Sequence, residues 1–285
     1  MRDKGYINAD SKQYFAFNIW SAEIAKAIIN AAATLHLDVV LQTSSNVFRS
    51  LSDAEKISLR NFIKEYSELL KLNAYIHLDH CNDIETINAA LDFGWDSVMI
   101  DASSRSLSEN IEITNTVCEI AKKKNALVEA EFGRIDNLEA KESINEIVTI
   151  DTILYFLAQT NVDMFSTNIG TMHGLYKNEP IIKYDLLDSI RKHTAVPFVV
   201  HGGTGLPKEF LSRLLSYKNI KKINISTEIK KAYCNAIQCC LDKDVLSEGT
   251  YNPLQIKQKT EAKVYEAAYK KMSILKIEKQ ERRSF

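Results

Sequence analysis

The sequence predicts a (β/α)8 barrel. Three observations predict it: eight short apolar runs, helix-length stretches between most of them, and polar residues at the C-terminal ends of those runs. Strand-length runs separated by helices build right-handed βαβ units and a parallel sheet. Eight such units in 285 residues suit a closed barrel; a doubly wound open sheet is the alternative.

The first strand is read at Phe15–Asn18. Ser21–Leu35 follows, with alanine and isoleucine at helical spacing. Val39–Gln42 and Tyr75–His77 are the second and third strands. Ile84–Phe93 is of helix length and leads to the fourth strand, Ser97–Ile100. Leu127–Glu131, Met164–Phe165, Pro197–Val200 and Lys222–Ile225 complete the set. Asn252–Phe285, where lysine and glutamate are closely mixed, reads as additional C-terminal helix. No internal repeat or composition break divides the chain, so residues 1–285 are expected to form a single domain.

Composition narrows the function classes. Thirty-six basic and 37 acidic side chains nearly balance, which excludes a nucleic-acid arm or a membrane-attracting surface. No run approaches the roughly 20 apolar residues of a membrane span. The N-terminus, Met1 to Asp10, lacks a signal peptide's apolar core. The five cysteines are odd in number and lack CxxC spacing, so neither a disulfide framework nor a cysteine zinc site is indicated. A reducing, cytoplasmic compartment is expected.

In a barrel of this kind chemistry sits at the C-terminal strand ends. Read in order, those ends give Asn18, Gln42–Ser44, Asp79–His80, Asp101, Glu129–Glu131, His173, His201–Gly205 and Asn224–Thr227. Three of the six histidines, His80, His173 and His201, follow three different strands beside glycine or an acid. Three neutral imidazoles with an open position make a catalytic zinc pattern. His36 and His193 fall in helical or post-helical contexts and are expected at the surface. His77 lies two residues before Asp79, so strand alternation can turn both inward. Asp79, beside His80, can orient that ligand or transfer protons. Asp101 and Glu131 add acids at neighbouring strand ends; for Asp101 a salt bridge or helix cap explains the residue equally well. No lysine sits in a motif that would suggest Schiff-base chemistry.

His201-Gly202-Gly203-Thr204-Gly205-Leu206-Pro207 follows strand seven. Its glycines let the backbone approach an anion, and Pro207 suits a helix start. Asn224-Ile225-Ser226-Thr227 follows strand eight and leads into a helix. Barrels frequently bind phosphate between these two loops. Ser44 can supply another hydroxyl or serve simply as an N-cap.

His77-Leu78-Asp79-His80-Cys81 and Ser97-Val98-Met99-Ile100-Asp101-Ala102-Ser103 resemble the first hallmark of class II fructose- and tagatose-bisphosphate aldolases. Val128-Glu129-Ala130-Glu131-Phe132-Gly133 resembles the second. Ile169 to Tyr176, His201 to Gly205 and Lys222 to Glu228 continue the likeness in order, from about Phe15 to the C-terminal helices. The resemblance implies that His80, His173 and His201 bind a catalytic zinc ion. It implies Asp101 and Glu131 at a second metal position, for a divalent or monovalent cation. Asp79 would exchange the proton of the C4 hydroxyl, and Glu139 would take the substrate proton from a mobile loop. Gly174, Gly202, Gly203, Thr204, Asn224, Ile225, Ser226 and Thr227 would bind dihydroxyacetone phosphate, and strand-end position adds Asn18 and Ser44 as substrate-binding candidates. A phosphorylated sugar is the implied ligand, in a homodimer or homotetramer, with a second aldolase subunit in some tagatose-type members.

The likeness has departures. The loop Arg134-Ile135-Asp136-Asn137-Leu138-Glu139 lacks the family's paired glycines, and Ala140-Lys141-Glu142-Ser143 replaces an acidic continuation. Phe132 stands for an aliphatic residue, and Met1–Tyr14 matches the usual N-terminal helix poorly. Ser226 leans toward the tagatose type, whose members often carry a small residue there. The expected activity is reversible cleavage of a ketose 1,6-bisphosphate to dihydroxyacetone phosphate and glyceraldehyde 3-phosphate. A zinc hydrolase on the same barrel and a noncatalytic binding subunit are the competing readings.

Overall fold

The eight apolar runs become strands that pair in sequence order. In a computed structural model they are β1 (Tyr14–Asn18), β2 (Val39–Ser44), β3 (Ala74–Cys81), β4 (Ser97–Ile100), β5 (Leu127–Glu131), β6 (Met164–Ser166), β7 (Phe198–Val200) and β8 (Ile220–Ile225). All neighbours are parallel, and β8 pairs with β1 to close the barrel. The structure describes residues 12–135, 148–176, 178–242 and 252–281. The helices among them are α1 (Ala22–Leu35), α2 (Ser45–Ser50), α3 (Asp53–Leu69), α4 (Ile84–Asp92), α5 (Leu107–Lys123), α6 (Ile150–Gln159), α7 (Tyr184–His193), α8 (Lys208–Ser216), α9 (Thr227–Asp242) and α10 (Pro253–Glu281). The open-sheet alternative is thereby excluded, and the C-terminal helix is present as α10.

The helices form where one stripe can be buried. α1 turns Ile24, Ile28 and Leu35 inward together with Ala25 and Ala32, the spacing of a single helix face. Burying each isoleucine or leucine contributes about 1.5–3 kcal/mol. α3 starts with a capping box. The Ser52 hydroxyl accepts from the Glu55 amide, and Glu55 accepts from the Ser52 amide.

Alternation along each strand divides the side chains between two surroundings. Phe15, Phe17, Leu41, Ile76, Leu78, Val98, Val128, Phe165, Val200 and Ile223 face the helices and join the large apolar core. Tyr14, Ala16, Val40, Leu127, Met164 and Val199 form a separate plug inside the barrel. Two residues beyond the plug, the same interior face changes character. Asn18, Gln42, His77, Glu129, Ser166 and His201 stand there, all buried. The interior is thus apolar at the N-terminal ends of the strands and polar toward the C-terminal mouth.

Candidate active site

β3 runs further than the sequence reading placed it, to Cys81 rather than His77. Asp79 and His80 are therefore strand residues. Neighbours in a regular strand point to opposite faces, yet both of these face the mouth. The reason is a bulge. The register of β3 against β4 shifts between Leu78 and Cys81, and His80 has φ 46°, in the left-handed region. A non-glycine residue there costs on the order of 1–3 kcal/mol, and such strain clusters at functional sites.

The bulge brings His80 to the other two histidines of the triad. Its ring centroid lies 4.9 Å from that of His173 and 4.6 Å from that of His201, and His173 and His201 are 5.6 Å apart. One nitrogen from each lies within 4.8 Å of the others, close enough to share an ion. His80 Nε2 is 2.9 Å from His201 Nδ1. The outer nitrogens are held from behind. His80 Nδ1 faces Asp101 Oδ2 at 3.0 Å, and His201 Nε2 faces Glu129 Oε1 at 2.8 Å. The carboxylate behind each of these two rings fixes the tautomer and aims the opposite lone pair at the common centre. The donor set of three imidazole nitrogens fits a zinc ion.

Asp79 is buried beneath the triad and accepts from three side-chain amides. Asn18 Nδ2 lies at 3.0 Å, Gln42 Nε2 at 3.1 Å and Asn224 Nδ2 at 3.4 Å. Burial pushes its acidity down, but the imidazoles of His80 and His201, Lys222 and the Asn18 amide outweigh that and hold the carboxyl below its ordinary range. Asp79 is thus kept as an anion that can accept a proton. Asp101 also accepts from the amide and hydroxyl of Ser103, so it orders its own turn as well as His80. Glu131 accepts from the Ile135 amide at 2.9 Å. Burial and the nearby Asp101 charge raise Glu131 to about 8. His80, Asp101 and Glu131 form a second group within ion-sharing distance.

The mouth is a cavity of about 620 Å³, within the usual range for small-molecule sites. Gly174, Gly202, Thr204, Asn224, Ser226 and Thr227 line its β7–β8 side, with Lys230 beyond them. Gly202 has φ 71°, and a Cβ there would sit 2.4 Å from the Met172 carbonyl oxygen. Tyr176 ties this wall together: its hydroxyl donates to the Gly202 carbonyl at 2.8 Å and accepts from the Met172 amide at 3.0 Å. Thr204 Oγ1 accepts from the Ser226 amide at 3.0 Å, joining the two loops.

Not every expected ligand faces this space. The Gly203 amide donates to the Asn224 carbonyl, and the Ile223 side chain would meet a Cβ at 2.5 Å. Gly203 thus serves the close approach of the β7 loop to β8. The Ile225 side chain points outward into the helix-facing core. Ser44 does line the mouth but also caps α2, accepting from the Val47 amide at 3.3 Å. Asn18 reaches the mouth and bonds Asp79. Glu139 lies outside the described residues. His77 is inside the barrel, 2.8 Å from Ser97 Oγ through Nδ1, while His36 and His193 are exposed.

The sequence reading singled out no lysine, since none sits in a Schiff-base motif, yet one lies at the heart of the barrel. Lys222 is fully buried, its Nζ 2.6 Å from Glu129 Oε2. The signal was available, since Lys222 lies two residues before Asn224 and shares its face. Arg49, Arg134 and Lys230, which also line the mouth, had no signal in their surrounding sequence.

A parallel barrel with imidazoles, a buried carboxylate and an anion cradle at one mouth has the equipment of a carbonyl-directed lyase, and comparison places the chain among the aldolases. A fructose-bisphosphate aldolase of Geobacillus stearothermophilus is 34% identical over 244 residues, covering 84% of this chain and 83% of that protein. The family described as class II fructose-bisphosphate aldolase matches residues 6–280, and the chain belongs to it. A sulfofructosephosphate aldolase of Alkalicoccus urumqiensis is 30% identical over 230 residues, 79% of each protein. The same fold recurs in the YdjI aldolase of Escherichia coli K12, with TM-score 0.79, 24% identity and coverage of 95% and 94% of the two chains. A fructose-bisphosphate aldolase of Campylobacter jejuni superposes with TM-score 0.79 at 17% identity, over 95% and 92%. Among the described residues no helix is long and apolar enough to cross a membrane.

Proposed function

We propose that this chain is a zinc-dependent aldolase that reversibly cleaves a ketose 1,6-bisphosphate to dihydroxyacetone phosphate and glyceraldehyde 3-phosphate. The observation that carries the reading is the convergence of His80, His173 and His201 beside the buried carboxylate of Asp79. Zinc, when bound, supplies a Lewis acid for the charge that develops on the ketone oxygen.

The chain's own groups perform the rest. Gly174, Gly202, Thr204, Ser226 and Thr227 hold the C1 phosphate at the β7–β8 side, with the N-terminus of α9 favouring the anion. This anchoring places the C4 hydroxyl near Asp79. Asp79 takes the hydroxyl proton as the C3–C4 bond breaks, and returns it in condensation. Glu139 is assigned the proton at C3. Asp101 and Glu131 hold a second cation or orient His80.

β3 and β4 lie across the barrel from β7 and β8, and α2 packs against β2 and β3. Arg49, which follows β2, lines that far rim and hydrogen-bonds the neutral Asn46 at 2.7 Å. An arginine there suits a second anionic group at the distal end of the sugar. Fructose 1,6-bisphosphate is the first substrate to test, on the name of the Geobacillus relative. Ser226 keeps the tagatose isomer beside it. A ketose 1-phosphate with a distal sulfonate is the second reading, favoured by the name of the Alkalicoccus relative and by Arg49. The whole chain, residues 1–285, is taken as one catalytic unit that assembles as a homodimer or homotetramer in the cytoplasm.

The test is a coupled assay for dihydroxyacetone phosphate with zinc-loaded protein and each of the three sugars. Turnover of one bisphosphate with the highest kcat/KM is expected. Release of triose phosphate from none of them sinks the lyase reading.

A further inference from the structure

Below the triad the barrel encloses a charge that cleavage does not use. Lys222, on β8, and Glu129, on β5, have no exposed side-chain surface, and Nζ lies 2.6 Å from Oε2. The other carboxylate oxygen, Oε1, meets His201 Nε2 at 2.8 Å. Oε2 also lies 3.5 Å from His77 Nε2, whose other nitrogen faces Ser97. One ion pair therefore sits directly behind a histidine of the candidate metal centre.

Burying an ammonium and a carboxylate costs several kcal/mol per ion, and their attraction seldom exceeds what apolar side chains of the same shape would contribute. Apolar filling is used immediately below, where Val40, Met164 and Val199 make the plug. The pair is thus poorly explained as a stabilising element. Its geometry explains it better. A carboxylate accepting from His201 Nε2 puts the ring proton on that nitrogen and leaves the Nδ1 lone pair facing His80 and His173. A carboxylate with no cation behind it could turn or be lost to desolvation. Lys222 holds it from the side opposite His201.

We propose that Lys222 is a positioning residue for the metal centre: through Glu129 it fixes the tautomer and ring orientation of His201 and so raises the affinity for zinc. This rests on the zinc reading of the triad, and not on which sugar is cleaved.

The test uses the full chain, stripped of metal, in wild-type form and as Lys222→Met. Zinc affinity is measured by chelator competition, and cobalt(II) absorption reports the geometry of the ligands. The expected result is a folded variant that binds zinc roughly 10–100-fold more weakly, as removal of an outer partner of a ligand does, with altered cobalt bands. Should Lys222→Met fail to fold, Lys222→Met/Glu129→Gln removes both charges together and carries the same expectation. A folded variant of either kind with wild-type affinity and wild-type cobalt bands overturns the proposal, whatever happens to its melting temperature. If the wild-type chain itself binds no zinc, the metal reading falls and takes this proposal with it. If it binds zinc and only the variants are unchanged, this proposal falls alone.

Discussion

The two faces of the barrel strands make different use of the same backbone. Toward the helices, Leu41, Ile76, Leu78, Val98 and Val128 form a continuous apolar layer. Toward the axis, the residues between them change from Ala16, Val40 and Val199 to Asn18, Gln42 and His201 within one pleat repeat. The outer face meets helices along its whole length, so apolar contact is the cheapest solution everywhere. The inner face meets itself at one end and the substrate cavity at the other. Stability and chemistry are thereby assigned to alternate residues.

Substitutions can break that division or sharpen it. The largest effect is expected from His201→Ala, on the inner face: zinc is lost and turnover falls below detection, while the melting curve of the metal-free protein stays near wild type. Metal analysis beside the activity assay checks this, and an active variant breaks the ligand assignment. Asp79→Ala is expected to retain zinc and lose roughly 10²–10⁴-fold in kcat, the range of an acid–base group. Loss of zinc in that variant would make Asp79 a structural residue. Leu78→Ala, one residue away on the outer face, should reverse the pattern. About 2–5 kcal/mol of stability is lost to transfer and cavity terms, measured by denaturant titration, with kcat within a few-fold of wild type at low temperature.

A smaller effect concerns pH. Burial disfavours charge on His80, but Asp79, Asp101 and Glu131 outweigh it and hold the imidazolium up to about 10 in the metal-free chain. Zinc must displace that proton. Burial and the charge on His80 lower His173 to about 4, and burial keeps His201 well below the usual range, so neither competes near neutrality. Zinc affinity should therefore rise by up to about tenfold per pH unit from 6 toward 10 and then level off. Competition with a chelator of known proton affinity reads the slope; a flat profile excludes a protonated His80. The smallest effect lies outside both faces. Ser52→Ala removes the capping box of α3 and should cost about 1 kcal/mol, with kcat unchanged.

Most of the architecture was legible because the helix-facing residues of each strand are apolar and the strands are separated by helices, so each run announced itself without knowledge of its partners. The triad was legible for a related reason: His80, His173 and His201 each follow a run. Distances were the missing quantity, and these decided other positions. Gly203 looked like a phosphate ligand because glycine clusters signal a cradle, but its amide is already taken by Asn224. Ile225 looked like a site residue because its neighbours are; alternation sends it outward. Lys222 obeys that same rule, but it lies in mid-strand, where a lysine gives no sign of a site until its partner Glu129 is placed across the barrel. Arg49 had no warning, since only the path of α2 carries it to the rim.

The left-handed turn of the backbone at His80 has a consequence for how such a centre can be acquired. Because Asp79 and His80 are adjacent, no exchange of side chains on an evenly pleated strand could aim both into the same opening. An ancestor lacking this centre would have had to lengthen β3 by one amino acid relative to β4. By the same token, excising a single position between Leu78 and Cys81 would retract either the acid or the imidazole while leaving every other component intact. Substitution alone can silence this centre, but building it takes a change of chain length at one point.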